Sequence, residues 1–256
     1  MTRADLEIFL NDILKTELFD DYCPNGLQVE GKDEIKKIVF AVSATKESID
    51  FTASEKADAL IVHHGLFWKF HGARTITGPF SRRVIPLIKN DINLYGYHLP
   101  LDAHEEFGNA ASLAKLLNLT DTAPFGLYKG VSTGIKGYFK SPIESGELIQ
   151  TLTSITNHSI LYSNPPELKN KKIKSIGIIT GGANSEWKEC IKYKLDAYLT
   201  GEMSEHDYHE SREAGIHMFA AGHHATEKFG ILELMKIVQS KYPTIKCIYK
   251  DSENPA

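Results

Sequence analysis

Apolar and polar positions along the chain follow two alternating rhythms. Residues 5–14 place Leu6, Ile8, Phe9, Leu10, Ile13 and Leu14 at the spacing of an amphipathic helix. Residues 21–31 (D-Y-C-P-N-G-L-Q-V-E-G) are turn-rich and read as a loop. The run I-K-K-I-V-F-A-V-S at 35–43 predicts a strand, and 45–55 a helix with Thr45 as its N-cap. Residues 59–62 (A-L-I-V) are apolar and stop at His63, His64 and Gly65, the pattern of a buried strand reaching the edge of its sheet. Next come a polar loop at 69–78 containing His71, a helix at 80–90 that Pro86 should kink or stop early, a strand at 92–97 ending at His98, and a helix at 107–118.

The texture then changes. Residues 121–130 contain Gly and Pro and mark a boundary, followed by a short strand at 134–139, a helix at 145–156, a strand at 159–162 and a solvated loop at 164–172. From 173 the alternation resumes, with strands at 174–180, 197–200, 216–220 and 246–249 and helices near 185–194, 204–214 and 226–240. Repeated βαβ units imply largely parallel sheets with right-handed crossovers. The expected organisation is an α/β fold of two pseudo-repeated lobes: a first lobe at 1–125, a linking strand–helix–strand region at 126–172, and a second lobe at 173–256 interleaved with the first.

The pseudo-repeat rests on spacing. The strands starting at Ile35 and Ile173 and the D-A pairs at Asp58 and Asp196 are separated by one offset (173 − 35 and 196 − 58, both 138). The next strand leads to His98 with Asp102 four residues on, and in the second copy to His223 with Glu227 four residues on (223 − 98 and 227 − 102, both 125). One H-x-x-x-[D/E] is common by chance, and H-H-G alone reads as two polar residues closing a strand. The set at equivalent strand ends is a stronger signal, because ligands of open α/β sheets bind at the carboxyl ends of strands. A site in the cleft between the two lobes is the expectation. Adjacent residues on a strand point to opposite faces, so His63 and His64 can share a site only where the backbone turns, which Gly65 permits.

The candidate pool is therefore His63, His64, His98, Asp102, His223 and Glu227. Imidazole mixed with carboxylate suits zinc, iron, manganese, nickel or cobalt. The pool exceeds what one catalytic ion needs and suits two divalent ions bridged by a carboxylate, ~3.5–4 Å apart, a pairing that supports hydrolysis. Glu227 is the expected bridge, in the first turn of the helix that follows G-H-H at 222–224. His104 and His224 border these motifs, either as neighbours of the ligands or as surface groups. Glu202 takes the place of H-H-G in the second copy and either lines the cleft or faces solvent, while His206 and His209 on the following helix read as solvated. Gly181 and Gly182 follow a strand but lack the further glycines and Lys of a P-loop, and Phe67 and Trp68 form either an apolar wall or core.

Composition narrows the classes. The chain has 256 residues, 24% charged and 42% hydrophobic, ordinary for a soluble globular protein. A net charge of −4 offers no electrostatic case for nucleic acid as main partner. Cys23, Cys190 and Cys247 are widely spaced, with no C-x-x-C pair, which points to a reducing cytoplasm. No apolar run approaches the ~20 residues of a membrane span, so no membrane partner is expected.

The motifs P-N-G-L-Q-V-E-G from Pro24, V-H-H-G-L-F-W from Val62, Y-G-Y-H-L-P-L-D-A-H from Tyr95, G-E at Gly201 and G-H-H-A-T-E from Gly222 resemble the bacterial GTP cyclohydrolase 1 type 2 homologs, end to end. The resemblance implies metal ligation by His63, His64, Asp102, His223 and Glu227, with His98 a near neighbour. It also implies a ring-shaped homohexamer with metal sites facing an internal cavity. The short 126–172 region places the chain in the compact subgroup. The expected function is metal-dependent hydrolysis of a small, nucleotide-like substrate, with purine-ring opening as the named candidate. The alternative is a non-catalytic metal-binding ring acting as an adaptor or in DNA-damage response.

Overall fold

A computed structural model describes residues 1–168 and 171–256; Lys169 and Asn170, within the loop expected at 164–172, lie outside the described residues. The chain divides into two units, Met1–Leu101 with Ile231–Ser252, and Asp102–Gly230 with Glu253–Ala256. The 126–172 segment lies within the second unit and residues 231–252 within the first.

In the first unit Thr2 and Asp5 form a reciprocal capping box that starts α1 (Arg3–Leu14), whose Leu6, Leu10 and Leu14, four apart, are buried. The sheet order is β1 (Gly26–Val29), β4 (Asn93–Gly96), β3 (Ala59–His64), β2 (Lys37–Ser43) and β11 (Lys246–Tyr249). All neighbours are parallel except β1, which runs antiparallel to β4. β1 falls in the stretch expected to be loop: only four residues long, it is masked in the sequence by the turn residues around it. Thr45 caps α2 (Lys46–Ser54) as expected, with Ser48 as its reciprocal partner. α3 (Gly78–Lys89) runs through Pro86. The carbonyl that Pro86 leaves without a helical donor belongs to exposed Arg82, where water can serve it. Val39, Ala41, Leu60, Val62 and Leu94 pack with Ile49, Val84 and Leu87 in the core.

The second unit carries a six-stranded sheet, ordered β5 (Thr120–Tyr128), β6 (Val131–Ile143), β8 (Ile173–Ile178), β9 (Ala197–Thr200), β10 (His217–Ala220) and β7 (Leu161–Ser163). β8, β9 and β10 are parallel, and the remaining pairings are antiparallel. The boundary expected at 121–130 is in fact β5, and the short strand expected at 134–139 is the middle of the 13-residue β6. Pro124 is tolerated because β5 is an edge strand, where a missing N–H costs no second ladder. Helices α4 (Leu99–Asp102), α5 (Asn109–Leu116), α6 (Ser145–Thr156), α7 (Lys188–Tyr193), α8 (Glu205–Glu213) and α9 (His223–Lys241) complete the chain. Among the described residues no helix is long and apolar enough to cross a membrane.

The duplication is visible in the ladders. Ile38 pairs with Ala59 and Ile176 with Ala197, both shifted by 138. Asp58 Oδ2 accepts the Lys36 and Lys37 N–H groups at 2.6 and 2.8 Å; Asp196 Oδ2 accepts those of Lys174 and Ser175 at 2.9 and 3.2 Å. Each carboxylate thus clamps the start of the preceding strand. Beyond this the copies fall out of step. Ala59 pairs with Asn93 and Ala197 with His217, an offset of 124 (217 − 93), so Gly222 rather than His223 stands in the place of His98.

Candidate metal centre

In the first unit β3 delivers His63 and His64 at its carboxyl end, and β4 leads to His98. His63 is fully buried, with Nδ1 3.0 Å from the Tyr97 carbonyl oxygen. A carbonyl only accepts, so Nδ1 carries the proton and Nε2 the lone pair a metal requires. His64 Nδ1 lies 3.0 Å from the Ser43 hydroxyl, and His98 Nδ1 2.8 Å from Asp21 Oδ1. The ring centroids are 4.5 Å apart for His63 and His64 and 5.0 Å for His63 and His98. One ligating atom from each of the three lies within 4.8 Å of the others. Gly65 acts here by close approach rather than by an unusual φ: a Cβ there would meet the Gln28 amide at 2.2 Å, and Gln28 Oε1 accepts the Leu66 N–H at 2.8 Å.

Asp21 is a residue the sequence did not single out, because it sits in a turn-rich stretch with no repeat to mark it. It is 3% exposed and accepts N–H groups from Asn25 at 3.0 Å and Leu99 at 2.9 Å besides His98. Burial alone would raise its pKa; the His98 imidazole and these donors outweigh burial and hold it below the ordinary carboxylate value. Asp21, Cys23 and His98 form another group with ligating atoms within 4.8 Å.

In the second unit His223 opens α9, and its Nε2 lies 3.2 Å from Glu227 Oε2. Glu227 is therefore one turn inside the helix, not in the first turn as expected, and reaches His223 as an (i, i+4) neighbour rather than through the helix dipole. Glu202 Oε1 sits 2.5 Å from His223 Nδ1, so it holds the imidazole from its other side. Burial pulls His223 toward its neutral form, but Glu227 and Glu202 outweigh it and raise its pKa to about 9. Asp102 closes α4 and accepts from Asn109 Nδ2 at 2.8 Å and from the Thr180 hydroxyl at 3.2 Å. Asn109 and Thr180 also went unmarked in the sequence.

Two glycines make room for this set. Gly181 has φ +69°, and a Cβ there would lie 2.0 Å from Glu227 Oε1. A Cβ on Gly201 would meet the Gly181 carbonyl oxygen and His223 Cα, both at 2.6 Å. In the duplicated frame Gly201 occupies the place of His63 and Glu202 that of His64 (201 − 63 and 202 − 64, both 138). The second copy has thus exchanged its imidazole pair for a close approach and a carboxylate.

The other candidates lie as follows. His104 Nδ1 accepts the Glu106 and Phe107 N–H groups at 3.2 and 3.3 Å, a local turn cap. His224 is buried in the first turn of α9. His206 is 3.6 Å from Asp207 and His209 3.3 Å from Glu205, both with exposed side chains.

The sequence pattern of Duf34/NIF3 (NGG1p interacting factor 3) matches residues 1–255. Proteins called GTP cyclohydrolase 1 type 2 homolog from Pasteurella multocida and Haemophilus influenzae are each 43% identical over 259 residues, covering all of both chains. Among solved structures, protein ybgI, described as of unknown function, superposes with TM-score 0.90 at 38% identity over the whole of both chains. A Thermus thermophilus protein gives 0.88 at 32%, again over the whole of both. Reduced HcgD from Methanocaldococcus jannaschii gives 0.84 at 25% over 97% of each.

Proposed function

The chain belongs to the Duf34/NIF3 family, and on that premise we propose that it is a metal-dependent hydrolase built on a pair of divalent cations. The residues that would hold the ions are His63, His64, Asp102, His223 and Glu227. For this, the imidazoles of the first unit and the donors of the second must reach common ions. The observation that carries the reading is the way the imidazoles are held: His63 by the Tyr97 carbonyl, His64 by Ser43 and His223 by Glu202, each through Nδ1. Outer partners of this kind accompany metal-bound histidines and fix ring orientation; the Tyr97 carbonyl and the Glu202 carboxylate, which only accept, also leave Nε2 as the coordinating nitrogen of His63 and His223.

A mixed nitrogen–oxygen set suits Zn, Fe, Mn, Ni or Co. Bound cations would supply a water of lowered pKa and a clamp on the attacking and leaving oxygens. The chain's own part is orientation. Asp21 holds His98 beside His63 and His64, where it can hydrogen-bond a substrate, and Asn109 and Thr180 hold Asp102. The substrate class we favour is a purine nucleotide opened by hydrolysis, which the names of the curated relatives support. We take the protein to work in the cytoplasm as a homohexameric ring.

Metal analysis of protein purified without chelator tests this. About two ions per chain are expected for a paired site, and Glu227→Ala should lose both while remaining folded. Less than about one ion per chain, with no uptake on soaking, overturns the paired site. Turnover of purine nucleotides with Mn, Fe, Zn and Ni separates a hydrolase from a metal-binding adaptor, which would bind metal and turn over nothing.

A further inference from the structure

A hollow of about 220 Å³ opens in the first unit, lined by Pro24, Phe67, Trp68, Lys69, Gly72 and Arg74. Trp68 belongs both to this hollow and to the imidazole cluster. Its ring is 5.1 Å from that of His98, edge-on, and 5.8 Å from that of His64. The indole is fixed in place, because its N–H donates to the Gly65 carbonyl at 3.1 Å. Phe70 stacks on it at 5.5 Å and is itself 69% exposed.

Two cations stand at the hollow. The Arg74 guanidinium lies 3.8 Å over the Phe80 ring; its Nη1 is 3.0 Å from His71 Nδ1 and donates to the Leu66 carbonyl at 3.4 Å, and it meets no carboxylate among the described residues. Lys69 is paired with Asp20 at 2.9 Å, but both side chains are more than half exposed, so an anion can displace that pair at little cost. Flat aromatic walls bind planar rings, and a guanidinium without a carboxylate is suited to a phosphate. The hollow is smaller than the ~300 Å³ of a pocket that encloses a whole ligand, so it takes one end of a molecule.

We propose that this hollow binds the phosphate-bearing end of a planar heterocyclic ligand, a nucleoside monophosphate being the type. Arg74 and Lys69 contact the phosphate, and the ring lies against Trp68 on the side of the imidazoles. The choice of ligand rests on the hydrolase reading above, but the binding itself needs no metal.

The chain has two tryptophans, and Trp187 is 3% exposed with its N–H on Asp207, so Trp68 alone should report. GMP, guanosine and ribose 5-phosphate are titrated into the full chain, stripped of metal, and tryptophan emission is followed. GMP should quench it, with guanosine and ribose 5-phosphate each about tenfold weaker, since each lacks one of the two contacts. Trp68→Phe should abolish the quench and Trp187→Phe should keep it. Arg74→Ala should weaken GMP about tenfold and leave guanosine unchanged, Arg74→Lys should recover part, and unaltered melting should show that both variants are folded. Equal affinity for GMP and guanosine, full GMP affinity in Arg74→Ala, or a quench that follows Trp187 would overturn the proposal. Metal uptake is measured separately: uptake without GMP binding overturns the hollow alone, and GMP binding without uptake overturns the metal centre alone.

Discussion

Replacement of Glu202 bears directly on how His223 is held. Its Oε1 sits 2.5 Å from Nδ1, while Glu227 stands 3.2 Å from Nε2. A carboxylate at Nδ1 acts in two ways. It accepts the ring proton, which leaves Nε2 as the coordinating nitrogen, and its charge makes that nitrogen a better donor. Glu202→Gln keeps an accepting oxygen and removes the charge; Glu202→Ala removes both. Outer partners of this kind are worth about 10–100-fold in metal affinity. The Glu202 side chain is 44% exposed, so solvent screens its charge and the lower end applies. The expected loss is about tenfold for Glu202→Ala, equivalent to ~1.4 kcal/mol, and about threefold for Glu202→Gln. Competition against a chromophoric chelator measures it. Ser43→Ala is the control in the first unit: it removes a neutral hydroxyl from His64 and should cost less than Glu202→Ala. If both Glu202 variants bind metal as the unaltered protein does, His223 is not positioned by this carboxylate.

Three further outcomes follow from the packing and the charges. Gly201→Ala drives a methyl group into backbone at 2.6 Å and should lower stability by about 1–3 kcal/mol in denaturant unfolding; an unchanged midpoint would mean that the strand ends are looser than these contacts imply. Asp58 and Asp196 are both held below the ordinary carboxylate pKa: burial opposes this, but Lys32 and backbone N–H groups overcome it at Asp58, and the Lys174 N–H and Lys171 at Asp196. Their stabilisation is present above the unfolded carboxylate value of 3.8 and is lost as pH falls through the lower folded value, so Asp196→Asn should flatten the acid limb of a stability–pH curve; an unchanged limb would contradict the clamp. His217, in the place Asn93 holds in the first copy, is pushed by burial below 6.5, and its neutral form therefore contributes stability that is lost as pH falls through that range. His217→Asn should remove this part of the pH dependence, and an unchanged profile would exclude His217 as its source.

Much of the architecture was legible in the sequence because period and offset are set by backbone geometry. The 138-residue shift reappears in the ladders from Ile38 and Ile176, and Asp58 and Asp196 proved to be the clamps that fix it. What escaped depended on tertiary context. Pro124 signalled a break, yet an edge strand needs no N–H on its outer side. Pro86 signalled a stop, yet its helix faces solvent there. The equivalence of His98 with His223 failed by one residue, because a ladder register is fixed by pairing and not by motif spacing. For the site, the chemistry-bearing types at strand ends were visible, whereas the groups that orient them were not. Asp21, Ser43 and Thr180 are ordinary residues in ordinary stretches, and only the fold brings each to an imidazole or carboxylate.

The most direct test of the paired cation centre is anomalous scattering from manganese-soaked crystals. Two peaks ~3.5–4 Å apart are predicted, with His63, His64, Asp102 and His223 distributed between them and Glu227 touching both. A single peak, or peaks held by the donors of one unit alone, would contradict it.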